Sequence, residues 1–242
     1  MAHPNELQRL LRLPLGVLRL WDAARMGKQG PMKPGNGRVR VEQGDLPADL
    51  ATAFEEAARI AWDVETTGLD WRQERLATCQ LFAEGTGVVV VKTPGRHPER
   101  LAALLEDPAV EKVFHHAPFD LRFIVHGWDV QPASIRCTKV ASKLLAPGAP
   151  NETHSLQHLV ARNLGVSLRK GPVRTSDWTA GTLTPEQLEY AAGDVLYLLP
   201  LLDALRADLE QAHLARLYDD CCAFLPARVL LELGGFPDVF AY

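Results

Sequence analysis

Asp63 and Glu65, in the run IAWDVETTGLD from Ile60 to Asp70, are the residues of this chain whose type and spacing first suggest chemistry. Side chains two apart on a strand point to the same side, so the pair would stand together where a buried apolar run ends. Like charges that close raise each other's pKa and cost stability unless something positive offsets them. A divalent cation with oxygen ligands, Mg2+ or Mn2+, would do so; two merely solvated acids at a strand end are the plain alternative. Three further residues extend the set. Asp120, within FHHAPFDLRFI, falls in the first turn of an expected helix, where the helix dipole favours an ionised carboxylate. Tyr190 and Asp194 lie four apart in LEYAAGDVLYLL and so share a helix face, and the small Ala191, Ala192 and Gly193 let that face approach a neighbour closely. Taken singly, each has an ordinary reading: a helix-start acid, a half-buried core tyrosine, a solvated polar position.

The elements that must position these residues follow from apolar periodicity and from punctuation by Gly and Pro. Strands are expected at the Ile60 run, at Ala77–Phe82 and at Gly87–Val91, the last two joined into a hairpin by a turn at Glu84 and Gly85. Leu101, Leu104 and Leu105 mark a helix ending before Pro108, and Val110–Phe114 is a short strand. It leads into a helix with Pro118 in its first turn and Gly127 at its exit. Ser134–Cys137 is a further strand, a helix follows through Leu145, and Leu156, Leu159 and Val160 lie on one that stops at Gly165. Thr184-Pro185-Glu186-Gln187 reads as a hydroxyl cap, a proline at the first helical position and a glutamine closing a capping box. The helix it opens is expected to run through Leu205 with a kink at Pro200. Strands and helices interleaved around a hairpin give an α/β class with a mixed sheet flanked by helices.

Residues 5–26 carry Leu7, Leu10 and Leu11, then Val17, Leu18, Leu20 and Trp21, which reads as two short amphipathic helical pieces with arginines outward. Residues 27–37, GKQGPMKPGNG, read as a linker. The chain thus divides into a basic helical extension with a Gly/Pro linker, 1–37, and one domain, 38–242. The extension could pack on its own domain or on a neighbouring subunit, or dock on a partner or membrane surface. A hydrophobic fraction of 47% and a charged fraction of 23% are those of a soluble globular protein, with no apolar run long enough to cross a bilayer. Cys79, Cys137, Cys221 and Cys222 show no C-x-x-C spacing, and with no signal peptide they indicate reduced thiols and a cytoplasmic home. The net charge of −4 hides an asymmetry: eight basic residues against two acidic ones in residues 1–40 leave −10 for the remainder. An acidic body tracks long nucleic acid poorly, because such binding draws on neutralising many phosphates, although local basic patches can override net charge. A nuclease of this composition would be expected to take a short substrate.

Together, D-x-E at Asp63 and Glu65, D at Asp120 and Y-x-x-x-D at Tyr190 and Asp194 resemble the signature of the DEDDy 3'-5' exonucleases. That resemblance implies an RNase H-like fold and metal-dependent phosphodiester hydrolysis. Relatives that use histidine carry it five residues before the last aspartate, where this chain has Glu189, so the tyrosine subclass is indicated. In-line hydrolysis needs charge neutralised on both the attacking and leaving oxygens, which two cations about 3.5 to 4 Å apart provide. In this assignment Asp63 bridges two Mg2+ or Mn2+ ions, Glu65 and Asp194 support the ion on the nucleophile side, and Asp120 helps hold the other. A phenol with a reference pKa of about 10 is a poor base at neutral pH, so Tyr190 is assigned to orienting the attacking water.

RVEQGDLP (Arg40 to Pro47), CTKVASKL (Cys137 to Leu144), SDW (Ser176 to Trp178), EYAAGDVLYL (Glu189 to Leu198) and the tail from Cys222 to Ala241 narrow the resemblance to nanoRNase C, a bacterial diribonuclease family. Ribonuclease D shares the SDW and YAA-DV segments, but usually adds C-terminal helical domains. The family implies cleavage of 5'-phosphorylated dinucleotides such as pGpG to mononucleotides and a ring-shaped homo-oligomer, with an octamer as the size the resemblance suggests. It also implies that Leu69 wedges between the two bases, and that Thr66 and His115 face substrate. The loop from Arg169 to Ser176, with Lys170 and Arg174, is a source of donors for the 5' phosphate or else a solvated connector. Ribonuclease D-like trimming of longer RNA, attack on DNA 3' ends, and a catalytically silent binding domain remain as alternatives.

Overall fold

Strand β2 (Arg59–Thr66) is the apolar run that carries Asp63 and Glu65, and the rest of the domain is laid around it. The computed structural model describes residues 39–93, 97–168 and 171–241; the expected helical pieces and linker of the extension lie outside them. β2 pairs antiparallel with β3 (Leu76–Ala83), which pairs antiparallel with β4 (Gly87–Lys92), so the expected hairpin forms. On its other side β2 pairs parallel with β5 (Glu111–Phe114), and β5 with β6 (Ile135–Cys137). A first strand β1 (Arg40–Gln43) adds parallel to β4, giving a six-stranded mixed sheet in the order β1-β4-β3-β2-β5-β6.

Helices flank this sheet. α1 (Ala48–Glu55) and α2 (Glu99–Glu106) pack on one another. α3 (Ala117–Trp128) follows β5 after only two residues, because His116 takes a left-handed backbone (φ 67°, ψ 43°) that turns the chain sharply into the helix. α4 (Thr138–Leu145) and α5 (Leu156–Leu164) follow β6, α5 ending at Gly165 in the left-handed cap conformation. The core runs under the sheet through Trp62, Phe114, Ile60, Leu81 and Leu105, all at 2% exposure or less, with the Trp62 and Phe114 rings stacked at 6.1 Å.

The C-terminal helices correct one expectation. Residues from Pro185 onward form two helices, α6 (Pro185–Leu196) and α7 (Leu198–Gln211), separated at Tyr197 (φ −105°, ψ 0°). Pro200 lies in the first turn of α7, where a backbone N–H has no intrahelical partner to lose, so the chain breaks before the proline instead of kinking at it. The capping box at Thr184 forms as expected, with Thr184 Oγ1 accepting from Gln187 N–H at 3.2 Å and Gln187 Oε1 accepting from Thr184 N–H at 2.9 Å. A last helix, α8 (Ala215–Leu233), packs against α3, α4 and β6.

Candidate active site

The carboxylates gather where β2 ends. Register between β2 and β3 shifts at Glu65 and Thr66, and such an irregularity re-aims side chains at a strand end. Asp63 and Glu65, half-buried on one face, meet Asp194 from α6, so that one carboxylate oxygen of each lies within 4.8 Å of the others. α6 can come this close because it lays Ala191 and Ala192, both buried, on β2, β3 and β4. Asp120 is 2% exposed in the first turn of α3. It accepts hydrogen bonds from its own backbone N–H and from that of Val64, the residue between Asp63 and Glu65. The structure therefore brings Asp63, Glu65 and Asp194 into one candidate cation cluster and places Asp120 beside it, outside the three.

The electrostatics are those of buried acids crowded together. Burial, then the charges of Asp194, Asp120 and Glu65, raise Asp63 well above the ordinary carboxylate range. Burial likewise raises Asp120, against the pull of its two backbone donors. Asp194 is pushed up to about 7 by burial, although the Tyr190 phenol donates to its carboxylate and opposes the rise. An all-oxygen set whose buried members are costly when ionised suits a hard divalent cation. Asp63, Glu65 and Asp194, with Asp120 at the side, are the residues that would hold it.

The expected substrate-facing residues are distributed around this cluster. Thr66 Oγ1 donates to the Gly68 carbonyl at 2.6 Å, closing the turn that presents Leu69 with 81% of its surface exposed. His115 is half-buried, its Nδ1 sharing a hydrogen bond with Thr138 Oγ1 at 2.9 Å, and burial lowers its pKa to about 3. His116 next to it is exposed. Lys170 lies outside the described residues, and the backbone of Arg174 lies in the 3-10 turn Pro172–Thr175. A cavity of about 480 Å³ opens beside the cluster, lined by Thr66, Thr67, Gln73, Arg75, Ser176 and Trp178 among others.

Two neighbours of the site residues were given no role by the sequence reading. Gln80 stands opposite Asp63 in the β2–β3 register, fully buried, and its Nε2 has no hydrogen-bond partner among the described residues. Trp178 is 2% exposed with its ring 6.0 Å from that of Tyr190. The first follows only from the β2–β3 register, and the second, although it lies in the SDW segment, meets Tyr190 only through tertiary packing.

A family model described as 3'-5' exonuclease matches residues 39–210. Among solved structures, Brucella melitensis NrnC is 34% identical with a TM-score of 0.77 over 84% of this chain and 98% of that one. The same protein solved with pGG and with Mg2+ is 33% identical in each case, with a TM-score of 0.76 over the same shares. Among characterised relatives, DNA polymerase I of Aquifex aeolicus is 31% identical over 76% of this chain and 33% of its own length. Ribonuclease D of Escherichia coli is 31% identical over 73% of this chain and 46% of its own length. The chain thus spans between a third and a half of those two relatives. Matched by the family model over most of the domain and by one solved nuclease over nearly all of that nuclease's length, it belongs to the DEDD-type 3'-5' exonucleases, hydrolases acting on nucleic acid, as a nanoRNase C-like member.

Proposed function

We propose that the chain is a divalent-metal-dependent 3'-5' exoribonuclease that hydrolyses 5'-phosphorylated diribonucleotides such as pGpG to mononucleotides. The observation that carries this reading is the convergence of Asp63, Glu65 and Asp194 within 4.8 Å, in a chain similar over nearly its whole domain to a protein solved with pGG and with Mg2+. Bound cations, two per site in this reading, would neutralise charge on the attacking and leaving oxygens of the phosphodiester. Asp63, Glu65, Asp194 and Asp120 would hold them, and burial makes the ionised form costly without a cation at Asp63, Asp120 and Asp194. Tyr190 donates to Asp194 and, thus anchored, orients the attacking water. Leu69, exposed on its turn, separates the two bases, while Thr66 and His115 line the approach. The 169–176 loop, with Lys170 and Arg174, supplies donors for the 5' phosphate.

Self-association fits the surface. Leu217, Phe224 and Leu230 on α8, with Phe236, Val239 and Phe240 beyond it, are large apolar side chains 38 to 76% exposed. A ring-shaped homo-oligomer, with an octamer as the size the family resemblance suggests, is read here, in the cytoplasm; no helix of the described residues is long and apolar enough to cross a membrane. The 1–37 extension is read as an appendage to the exonuclease domain 38–242. A second reading, 3' trimming of longer RNA, is favoured by the 31% identity to Escherichia coli ribonuclease D; attack on DNA 3' ends is favoured by the likeness to DNA polymerase I. Turnover of 5'-phosphorylated dinucleotides and of 10-mers, each as RNA and as DNA, tests these together. At least tenfold higher kcat/KM on the diribonucleotide is expected, and equal or better turnover of the RNA or DNA 10-mer would sink the dinucleotide reading.

A further inference from the structure

The row of residues beside the acids continues across the sheet. Glu65, Thr78 and Lys92 stand in register on β2, β3 and β4, so their side chains share one face, the face on which α6 packs. Lys92 is only 7% exposed, and its ammonium is spent on the chain between Trp178 and α6, donating to the carbonyls of Ala180 and of Gly181, the latter at 2.9 Å. A buried cation placed on two backbone carbonyls fixes the segment that carries them, because leaving those bonds would strand the charge. The other flank of the same segment is held from the helix. Gln187, 4% exposed in the first turn of α6, donates through Nε2 to Ser176 Oγ at 2.9 Å and to the Asp177 carbonyl at 3.0 Å, while its Oε1 closes the capping box.

Between these two anchorages sits Trp178, buried and packed at 6.0 Å and 50° against the ring of Tyr190. Its indole N–H has no hydrogen-bond partner among the described residues, so contact of the ring, not a polar bond, is what it offers. Resting on the assignment of Tyr190 made above, we propose that residues 176–181 form a brace, fastened by Gln187 and Lys92, through which Trp178 sets the orientation of the Tyr190 phenol. Trp178, Gln187 and Lys92 are then positioning residues, acting on the reaction through a ring that stands three residues beyond Gln187 on the same helix. Small displacements of a catalytic group cost up to about 100-fold in rate, so a brace of this kind would appear in kcat.

The test is a mutant cycle on the full chain with its metal, using whichever substrate the wild type turns over best. Trp178→Leu should lower kcat roughly 10- to 100-fold with KM changed less than about threefold, and Trp178→Phe, which keeps a ring without the N–H, should recover most of the loss. In a Tyr190→Phe background the Trp178→Leu step should cost less than about threefold, because the group it acts through is gone. The rise in melting temperature on adding Mg2+ should persist in Trp178→Leu, showing the acids intact. Lys92→Met, which frees the other flank, should repeat the pattern and carries the test if Trp178→Leu does not fold. Losses that multiply in the Tyr190→Phe background, or that fall on KM alone, would overturn the brace. A Tyr190→Phe enzyme as active as wild type would instead remove the assignment of Tyr190, and the inference with it.

Discussion

Asp63 is the acid with the most like-charged neighbours, since Asp194, Asp120 and Glu65 all add to the burial that raises it. Asp63→Asn removes a ligand while keeping the shape, and should cut kcat at least about 1,000-fold, the scale of losing one well-placed charge stabiliser. The same change should weaken Mg2+ binding, read by titrating the metal against melting temperature. His115 makes a separate prediction. Its folded pKa is depressed to about 3 by burial, so the ring is neutral at every pH above about 5 and gains no charge between pH 5 and 8. The acid limb of the pH–rate profile should therefore survive in His115→Asn unmoved, and a shift of that limb by a full pH unit would contradict the assignment of the ring as neutral. At this scale the acid cluster was legible in the sequence, because a hard divalent cation needs oxygen ligands and few side chains can supply them when charged. The parts of Gln80 and Trp178 were not, since strand register is what sets Gln80 opposite Asp63 and tertiary packing is what sets Trp178 against Tyr190.

At the scale of elements, α6 connects the chemistry to the sheet. It begins at a complete capping box, and the residue closing that box, Gln187, also grips Ser176 and Asp177. Thr184→Ala removes only the cap acceptor and should cost about 1 kcal/mol of stability. Chemical denaturation should show it as a lowered midpoint at unchanged slope. Thr184 shows how far local signals reach: a cap, a proline and a glutamine placed the start of α6 correctly. Its end was misjudged because Leu198, Leu199, Leu201, Leu202 and Leu205 continue an apolar pattern across Tyr197, and periodicity cannot report a change of axis between two helices that are both apolar on the side facing the core. The edge strand β1 was passed over for the opposite reason: Arg40, Val41 and Gln43 are exposed, so it lacks the alternation by which strands are recognised.

For the whole molecule, the acid cluster makes stability depend on metal and pH together. Asp194 has a folded pKa of about 7, and Asp63 and Asp120 are also raised, against an unfolded value near 3.8. Between those pH values the folded state binds more protons than the unfolded one, so stability falls as pH rises through the window. Below about pH 4 neither state carries the charges and the cost is absent; above about pH 7 Asp194 is ionised in both states and its share of the cost is fully present. A bound cation reverses the balance by pairing with the ionised acids, and at 100 times its dissociation constant adds about 2.7 kcal/mol, or roughly 5 to 10 °C for a domain of this size. Melting curves of the wild type in EDTA and in Mg2+, taken at pH 5.5 and 8, should show the Mg2+ increment growing with pH. In Asp63→Asn that growth should shrink, because one of the coupled charges is gone and the remaining acids repel less. An Mg2+ increment of equal size at both pH values, unchanged by Asp63→Asn, would mean that these carboxylates are not where the ion binds.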